Sequence, residues 1–394
     1  MSDLFCLLDA MDSADKAGTH AVLATVIKVE GSAYRRPGAR MLIPSGGQAV
    51  GTVSGGCLEQ ELVRKAWWLT ESGQAVIRSY STAARDDDES EDGGAGLAFG
   101  LGCNGTVHVL LERREAGQPT LLDALLQRVR ATGRPAALAT VLSAGASPGL
   151  KIGARVGVAD GIQTSEGVHD EAFQRWVQAD LFRTLERRTS SRMVYELGAV
   201  AVEVFLEYIA PQRRLVIFGA GNDAQPLVRF AKALNWHVQV FDGRVHFARP
   251  ERFPEADHVA RMSIEQPVDL APVVDGAAVV VMTHSYRQDR YWLKNVLECA
   301  PLYIGQLGPK ERSERLFDEL DICPATGGPR SRVHYPMGLD LGGDTPEVVA
   351  LAIVSEIAAC FNQRQGGMLK GRNSTIHDVT PGCRTVVCEP DVCR

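Results

Sequence analysis

No stretch of this chain stays apolar for the roughly 20 residues needed to cross a bilayer, so a membrane-spanning role finds no support among its 394 residues. Positive charge is also in short supply. The formal net charge is −6 and no basic stripe with interleaved aromatics occurs, which argues against nucleic acid as a partner. The opening stretch, MSDLFCLLDAMDSADKAG, has no basic segment ahead of an apolar one and does not read as a secretion signal. The nine cysteines, an odd number, are scattered rather than spaced as a disulfide framework. Free thiols in a reducing cytoplasm are the expectation. The remainder is ordinary: 45% hydrophobic and 23% charged residues, in a length that allows two or three domains with real cores.

Against that background two segments stand out, Val53-Ser54-Gly55-Gly56-Cys57-Leu58-Glu59 and Gly100-Leu101-Gly102-Cys103-Asn104-Gly105. Each sets a cysteine among glycines, which shield a sulfur little and let a ligand approach the backbone. Leu58, Leu62, Ala66 and Leu69 recur at helical spacing, with Glu59 and Glu61 early and Arg64 and Lys65 later. The spacing predicts a helix over 57–72 whose free N–H groups, beside Gly55 and Gly56, favour a thiolate at Cys57. One such cysteine alone reads as a small buried residue. Two glycine-framed copies favour a thiolate site.

Residues 21–43 (AVLATVIKVEGSAYRRPGARMLI) align without gaps to 136–158 (AALATVLSAGASPGLKIGARVGV), and 106–112 (TVHVLLE) to 201–207 (AVEVFLE). Residues 20–114 and 136–210 therefore read as two divergent copies of one strand-rich unit. The same offsets set Ala172 opposite Cys57 and Gly198 opposite Cys103. The second copy keeps the strand pattern without the thiols, so chemistry rather than packing is the expected reason for the cysteines.

The pattern predicts a helix at 3–17, a strand at 22–29, a hairpin from 39–43 and 49–53, strands at 76–80 and 106–112, and a helix at 121–132. The acidic run 86–92 is expected in a solvated loop. From 215 onward strand and helix alternate. A buried strand at 215–218 enters Gly219-Ala220-Gly221-Asn222-Asp223-Ala224, followed by a helix at 225–234, a strand at 237–241 and Asp242. A lone GxGxxG carries little weight, but this setting makes a dinucleotide fingerprint with Ala224 in the third place. Gly219 would permit the turn, Gly221 the approach of a pyrophosphate beside Asn222, and Asp242 would hold ribose hydroxyls. Arg244 leaves a 2′-phosphate open.

Strands at 278–283 and 302–305 and helices near 289–298, 310–320 and 346–363 complete the pattern, the last capped by Thr345 with Pro346 opening it. His284 ends a strand at the edge where open α/β sheets bind ligands. It reads either as a base or phosphate contact or as a hydrogen-bonded structural histidine. The fold class is thus α/β. An N-terminal α+β domain, 1–210, is built from two strand-rich repeats. A C-terminal Rossmann-like doubly wound domain covers 215–364, and a tail, 365–394, is expected to be flexible. Its Cys383, Cys388 and Cys393 are spaced too widely for a tight zinc site.

The segment Gly31-Ser32-Ala33-Tyr34-Arg35-Arg36-Pro37-Gly38-Ala39-Arg40-Met41, the two cysteine segments and the Rossmann turn together resemble the xanthine dehydrogenase accessory family of XdhC/CoxI type. So do Tyr303-Ile304-Gly305-Gln306-Leu307-Gly308 and His334-Tyr335-Pro336-Met337-Gly338-Leu339-Asp340. The match covers most of the chain; where the family often has Gly-Cys-Gly-Gly, this chain has Gly102-Cys103-Asn104-Gly105. The resemblance implies a chaperone rather than an enzyme. Such a protein binds the molybdenum cofactor, molybdopterin, protects it and assists its sulfuration by a cysteine desulfurase. It then inserts the cofactor into a molybdenum hydroxylase of the xanthine dehydrogenase or aldehyde oxidoreductase class. The resemblance also implies that Cys57 and Cys103 bind the cofactor through its molybdenum, in a site that includes Gly55 and Gly56.

The chemistry agrees. Soft thiolates suit a metal held by sulfur, and Arg35, Arg36 and Arg40 suit the cofactor's phosphate. The Rossmann domain would hold the nucleotide part of a dinucleotide form of the cofactor, or a separate NAD(P). A second copy of the chain, as a homodimer, is a candidate partner. Two other classes compete. One is an NAD(P)-dependent oxidoreductase with His284 as proton donor; against it, the unusual residues are thiols in glycine turns and not an acid–base pair beside the nucleotide turn. The other is a thiol redox sensor, which needs Cys57 and Cys103 within bonding range.

Overall fold

The computed structural model describes residues 3–56, 58–81, 105–145, 149–198, 200–322, 328–371 and 384–388. They fall into two units, one running to Pro211 and including 384–388, the other spanning 212–371. The acidic run 86–92 lies outside the described residues.

In the first unit α1 (Asp3–Lys16) precedes two sheets of like construction. The first contains β1 (Ala21–Gly31), β2 (Arg40–Pro44), β3 (Val50–Gly51), β4 (Val76–Ser81) and β5 (Gly105–Arg114), with α2 (Glu59–Leu69) between β3 and β4. After α3 (Leu121–Thr132) come β6 (Ala136–Ser143), β7 (Arg155–Ala159), β8 (Ile162–Glu166), β9 (Ser191–Leu197) and β10 (Val200–Ile209), with α4 (Glu171–Arg187) between β8 and β9. The strand orders are β3-β2-β1-β5-β4 and β8-β7-β6-β10-β9. Register agrees as well. Ala21 faces Pro44 and Thr25 faces Arg40 in one sheet; Ala136 faces Ala159 and Thr140 faces Arg155 in the other. These are the pairings that the gapless alignment requires, so the repeated sequence is a repeated structure. The copies meet through Ile27 and Leu110 of the first and Leu142 and Phe205 of the second, again equivalent positions.

Local signals start α3, which leads into the second copy, and α4 within it. Thr120 and Asp123 exchange side-chain and backbone hydrogen bonds in a capping box at α3. The Asp170 carboxylate accepts from the Phe173 N–H at the start of α4. Within the segment expected to be flexible, β17 (Arg384–Cys388) lies parallel beside β9. The open edge of β9 offers unpaired N–H and C=O groups, and Val386 adds packing against the core beneath it. Cys383 and Cys393 lie outside the described residues.

The second unit contains β11 (Arg214–Phe218), α5 (Ala224–Ala233), β12 (His237–Asp242), β13 (His258–Arg261), α6 (Ala271–Val274) and β14 (Ala278–Val281). It continues with α7 (Tyr286–Leu297), β15 (Tyr303–Gln306), α8 (Lys310–Glu319), β16 (Val333–His334) and α9 (Pro346–Phe361). Its strands lie in the order β13-β12-β11-β14-β15-β16, every pair parallel, which is the Rossmann order with its switch point between β11 and β14. The alternation in β11 explains its unbroken apolar run. Leu215 and Ile217 enter the core under α5 and α9; Val216 and Phe218 enter the one under α7 and α8. On that side Phe218 stacks on Trp292, ring centroids 4.5 Å apart. As expected, Thr345 caps α9 by accepting from the Val348 N–H.

Candidate functional site

The glycine turn between β3 and α2 is organised by a residue after it. The N–H groups of Val53, Ser54 and Gly55 donate to Glu59 Oε1 at 2.9, 2.8 and 3.1 Å, and that of Gly56 donates to Oε2 at 2.8 Å. The Thr52 and Ser54 hydroxyls donate to the same carboxylate, and the Ser54 Oγ also accepts from the Leu58 N–H. Burial works against the charge of Glu59. The hydrogen bonds, led by those of Ser54 and Thr52, outweigh it and hold the carboxyl far below the ordinary glutamate range. The expectation of free N–H groups at this helix end is corrected here: α2 begins at Glu59, not residue 57, and the turn's N–H groups are occupied by a carboxylate of the chain itself.

Gly55 adopts φ +99° and packs beneath an aromatic ring. A Cβ there would stand 2.8 Å from Tyr34 Cδ1, so only glycine fits under the tyrosine. Tyr34 itself is 74% exposed. It lies in the β1–β2 connection with Arg35, half-buried, and Arg36, exposed. Cys57 and Cys103 both lie outside the described residues, as do Gly102 and Asn104, while Gly56, Leu58 and Gly105 are described. Gly56 and Leu58 flank the first. Gly105, two residues past the second, pairs with Gly31 at the end of β1, and a side chain on it would strike the Ser32 carbonyl. Gly55, before the first cysteine, and Gly105, after the second, thus both pack against one connection, residues 32–39.

Arg40 does not join them. Its guanidinium is buried and grips the Glu207 carboxylate with Nη1 at 2.7 Å and Nη2 at 2.5 Å, a pairing between the two copies. An arginine so enclosed is not on offer to a phosphate, which corrects the phosphate role expected of it. A cleft of about 500 Å³ in the same unit is lined by Glu112, Arg114, Lys151 and Arg155. Its buried arginines are likewise committed, Arg114 to Asp15 and Arg155 to Glu112.

In the Rossmann unit the glycine turn sits at the switch point, between β11 and β14. Gly219, at φ +122°, is pressed against the Met282 carbonyl at the end of β14. Ala224 opens α5, and Asn222 Oδ1 accepts from Arg252 at 2.7 Å. Two features depart from the fingerprint. A side chain at Gly221 would collide with the Asp223 carboxylate, so an acid stands where a pyrophosphate was expected to approach. The Asp242 side chain is fully buried. Its Oδ2 accepts from the Ala220 N–H at 2.8 Å and from Arg244 Nη2 at 2.7 Å, and its Oδ1 from Arg244 N and Nε, both at 2.9 Å. Burial opposes its charge, yet the Arg244 and Ala220 bonds keep its carboxyl below the usual range. No oxygen of Asp242 is left for a ribose hydroxyl, which corrects that assignment. Arg244 also lies over Phe247, 3.8 Å from the ring centroid.

His284 is exposed, takes φ +58° and meets Asp223 Oδ2 through Nε2 at 2.7 Å. An acid–base pair therefore does stand beside the nucleotide turn. Sequence reading missed it because its members are far apart in the chain and meet only where β11 and β14 lie side by side. Glu59 was missed for another reason: a glutamate in a first helical turn reads as dipole compensation, and only the reversed turn turns its carboxylate into an anchor.

Comparison with known proteins agrees with this architecture. Residues 215–357 match the model of the XdhC Rossmann domain, and residues 14–81 that of the XdhC and CoxI family. The chain is 29% identical over 357 residues to a Bacillus subtilis protein named as a probable xanthine dehydrogenase subunit, covering 91% of this chain and 97% of that one. It is 22% identical over 343 residues to the molybdenum cofactor insertion chaperone PaoD of Escherichia coli, covering 87% and 84%. A crystal structure from Bacillus halodurans, described as a xanthine dehydrogenase, superposes with a TM-score of 0.70 at 28% identity, over 94% of this chain and 98% of that one.

Proposed function

Because the chain belongs to the XdhC and CoxI family, we propose that it is a maturation factor: it binds molybdenum cofactor and hands it to a molybdenum hydroxylase of the xanthine dehydrogenase class. The observation that carries this proposal is the braced turn 52–56, with Cys57 next in sequence and Gly105, two residues past Cys103, against the connection that Gly55 also meets. The donor set fits the cargo. A thiolate is a soft ligand for molybdenum, and among the described residues a Cβ built on Gly56 meets nothing within 4 Å, which leaves room beside it for a bulky complex. The names of the related Bacillus and Escherichia proteins point the same way.

In this proposal Cys57 is the ligand to the cargo's metal or the sulfur relay, and Cys103 supports it. Arg35 and Arg36 meet its phosphate. A cysteine desulfurase supplies sulfur while the cofactor is held. The test is molybdenum content after co-expression with a recipient enzyme. Cys57→Ala should lose most of the bound molybdenum and fail to activate the recipient, with Cys103→Ala milder. Cys299→Ala, whose thiol bonds the Asn295 carbonyl, should match the wild type. Full molybdenum content in the Cys57→Ala protein would reject the proposal.

A second function, an NAD(P)-dependent oxidoreductase, draws support from the Asp223–His284 pair. Against it stand the carboxylate at Gly221 and the closed Asp242.

A further inference from the structure

Tyr34 lies beside Arg35 and Arg36 in the β1–β2 connection, and the proposed function leaves its ring unused. Its ring rests on Gly55, which no other residue could replace without displacing it, and about three-quarters of it remains in solvent, at 74% exposure. The surface beneath is rigid, because the Glu59 carboxylate holds every N–H from Val53 to Gly56. An aromatic side chain fixed from below and open above is pre-organised for a planar ligand, since little conformational freedom remains to be lost on binding.

The internal repeat adds an independent observation. The gapless alignment sets Gly149 opposite Tyr34, so the copy without thiols also lacks the ring. That copy starts its helix with an ordinary cap, Asp170 accepting from Phe173 N, and opposite Glu59 it has Gln174, whose amide donates to the Val168 carbonyl where the glutamate accepts from N–H groups. It keeps strand order, register and the arginine–glutamate pair. Ring, turn-bracing carboxylate and thiol thus occur together in one copy and are missing together from the other, as expected of parts of one site and not of parts of the scaffold.

We infer that Tyr34, seated on Gly55 two residues before Cys57 in the chain, is a stacking platform for the flat heteroaromatic ring of the cargo; this rests on the proposed function. A bicyclic pterin presents a π-face to the phenol ring, and contacts of that kind need no particular hydrogen-bond pattern. Tyr34 would thereby set the cofactor's orientation, ring on the tyrosine, metal toward Cys57, and phosphate toward Arg35 and Arg36. The turn's own N–H groups, taken by Glu59, are closed to that phosphate.

The test uses the full-length protein and a metal-free probe, 6-methylpterin, followed by its own fluorescence. Tyr34→Phe should bind the pterin within about twofold of wild type, and Tyr34→Ala roughly tenfold or more weakly. Cys299→Ala, whose thiol bonds the Asn295 carbonyl, should bind it as wild type does. Thermal melts should coincide for all variants, given the exposure of Tyr34. Equal pterin binding by wild type and Tyr34→Ala, or no binding by wild type, overturns the platform. A platform that behaves as stated beside molybdenum content indifferent to Cys57 would instead overturn the proposed function and leave the ring site standing.

Discussion

Arg40 and Glu207 form a buried, two-pronged ion pair between the copies of the repeat, and Arg155 and Glu112 form its counterpart with the roles of the copies exchanged. The alignment sets Arg40 opposite Arg155 and Glu112 opposite Glu207. Each copy therefore lends an arginine from its second strand to a glutamate on the other's last strand. Burial disfavours the charge of Arg40, and Glu207 more than restores it, so its pKa lies above the ordinary arginine value. The pair locks one copy on the other.

Removing one partner should cost more than removing both. Glu207→Ala leaves a guanidinium buried without a counter-charge, for an expected loss of about 3–5 kcal/mol. Arg40→Met combined with Glu207→Leu should recover most of it. Urea unfolding of the single and double variants checks this. A phosphate-binding Arg40 would show the opposite pattern, with unchanged stability and lowered molybdenum content.

The brace at Glu59 should depend on pH in a defined direction. Its folded pKa lies below the 4.5 of an unperturbed glutamate, so its stabilisation is complete above that value. It is lost as pH falls through the lower folded pKa. Hydrogen exchange of residues 53–56 at pH 7 should be faster in Glu59→Gln than in wild type. The gap should narrow as the medium is made acidic, below about pH 4. A gap that widens in acid would contradict the brace.

Two glycines of the Rossmann turn should respond differently to alanine. At Gly219 a Cβ meets the Met282 backbone, and φ +122° is unfavourable for any side chain. Gly219→Ala should cost more than about 3 kcal/mol, on the scale of strained backbone plus a core clash. At Gly221 the obstacle is the end of the Asp223 side chain, which can rotate away. Gly221→Ala should cost about 1 kcal/mol or less. Differential scanning calorimetry separates the two.

Asp223 should oppose nucleotide binding. Its carboxylate stands at the helix start where a pyrophosphate would lie, and two like charges in that space repel. Asp223→Ala should tighten NADH binding by roughly tenfold, equivalent to about 1.4 kcal/mol. Calorimetric titration of wild type and variant measures it directly. Tighter binding by wild type than by Asp223→Ala would show that the carboxylate instead holds the ligand.

Much of the molecule could be read along the chain, because those parts rest on local or periodic causes. The strand-rich repeats at 20–114 and 136–210 announced themselves by similarity, and the β11–α5–β12 unit by an apolar run, a glycine turn and a closing acid. Capped helices such as α9 followed from the Thr345-Pro346 signal. What the chain alone could not determine was which charged groups are already taken. Arg40, Asp242 and Glu59 look like free site residues or surface charges in sequence. They turn out to be held by Glu207, by Arg244 with the Ala220 N–H, and by the turn 52–56. Some of these partners are strands away, as are the two halves of the Asp223–His284 pair. A charge buried without a partner is too costly to persist, so tertiary packing decides which arginine and which carboxylate remain for a ligand. Sequence determined the frame and the kinds of chemistry within it; only the folded chain decided which of those groups are free to act.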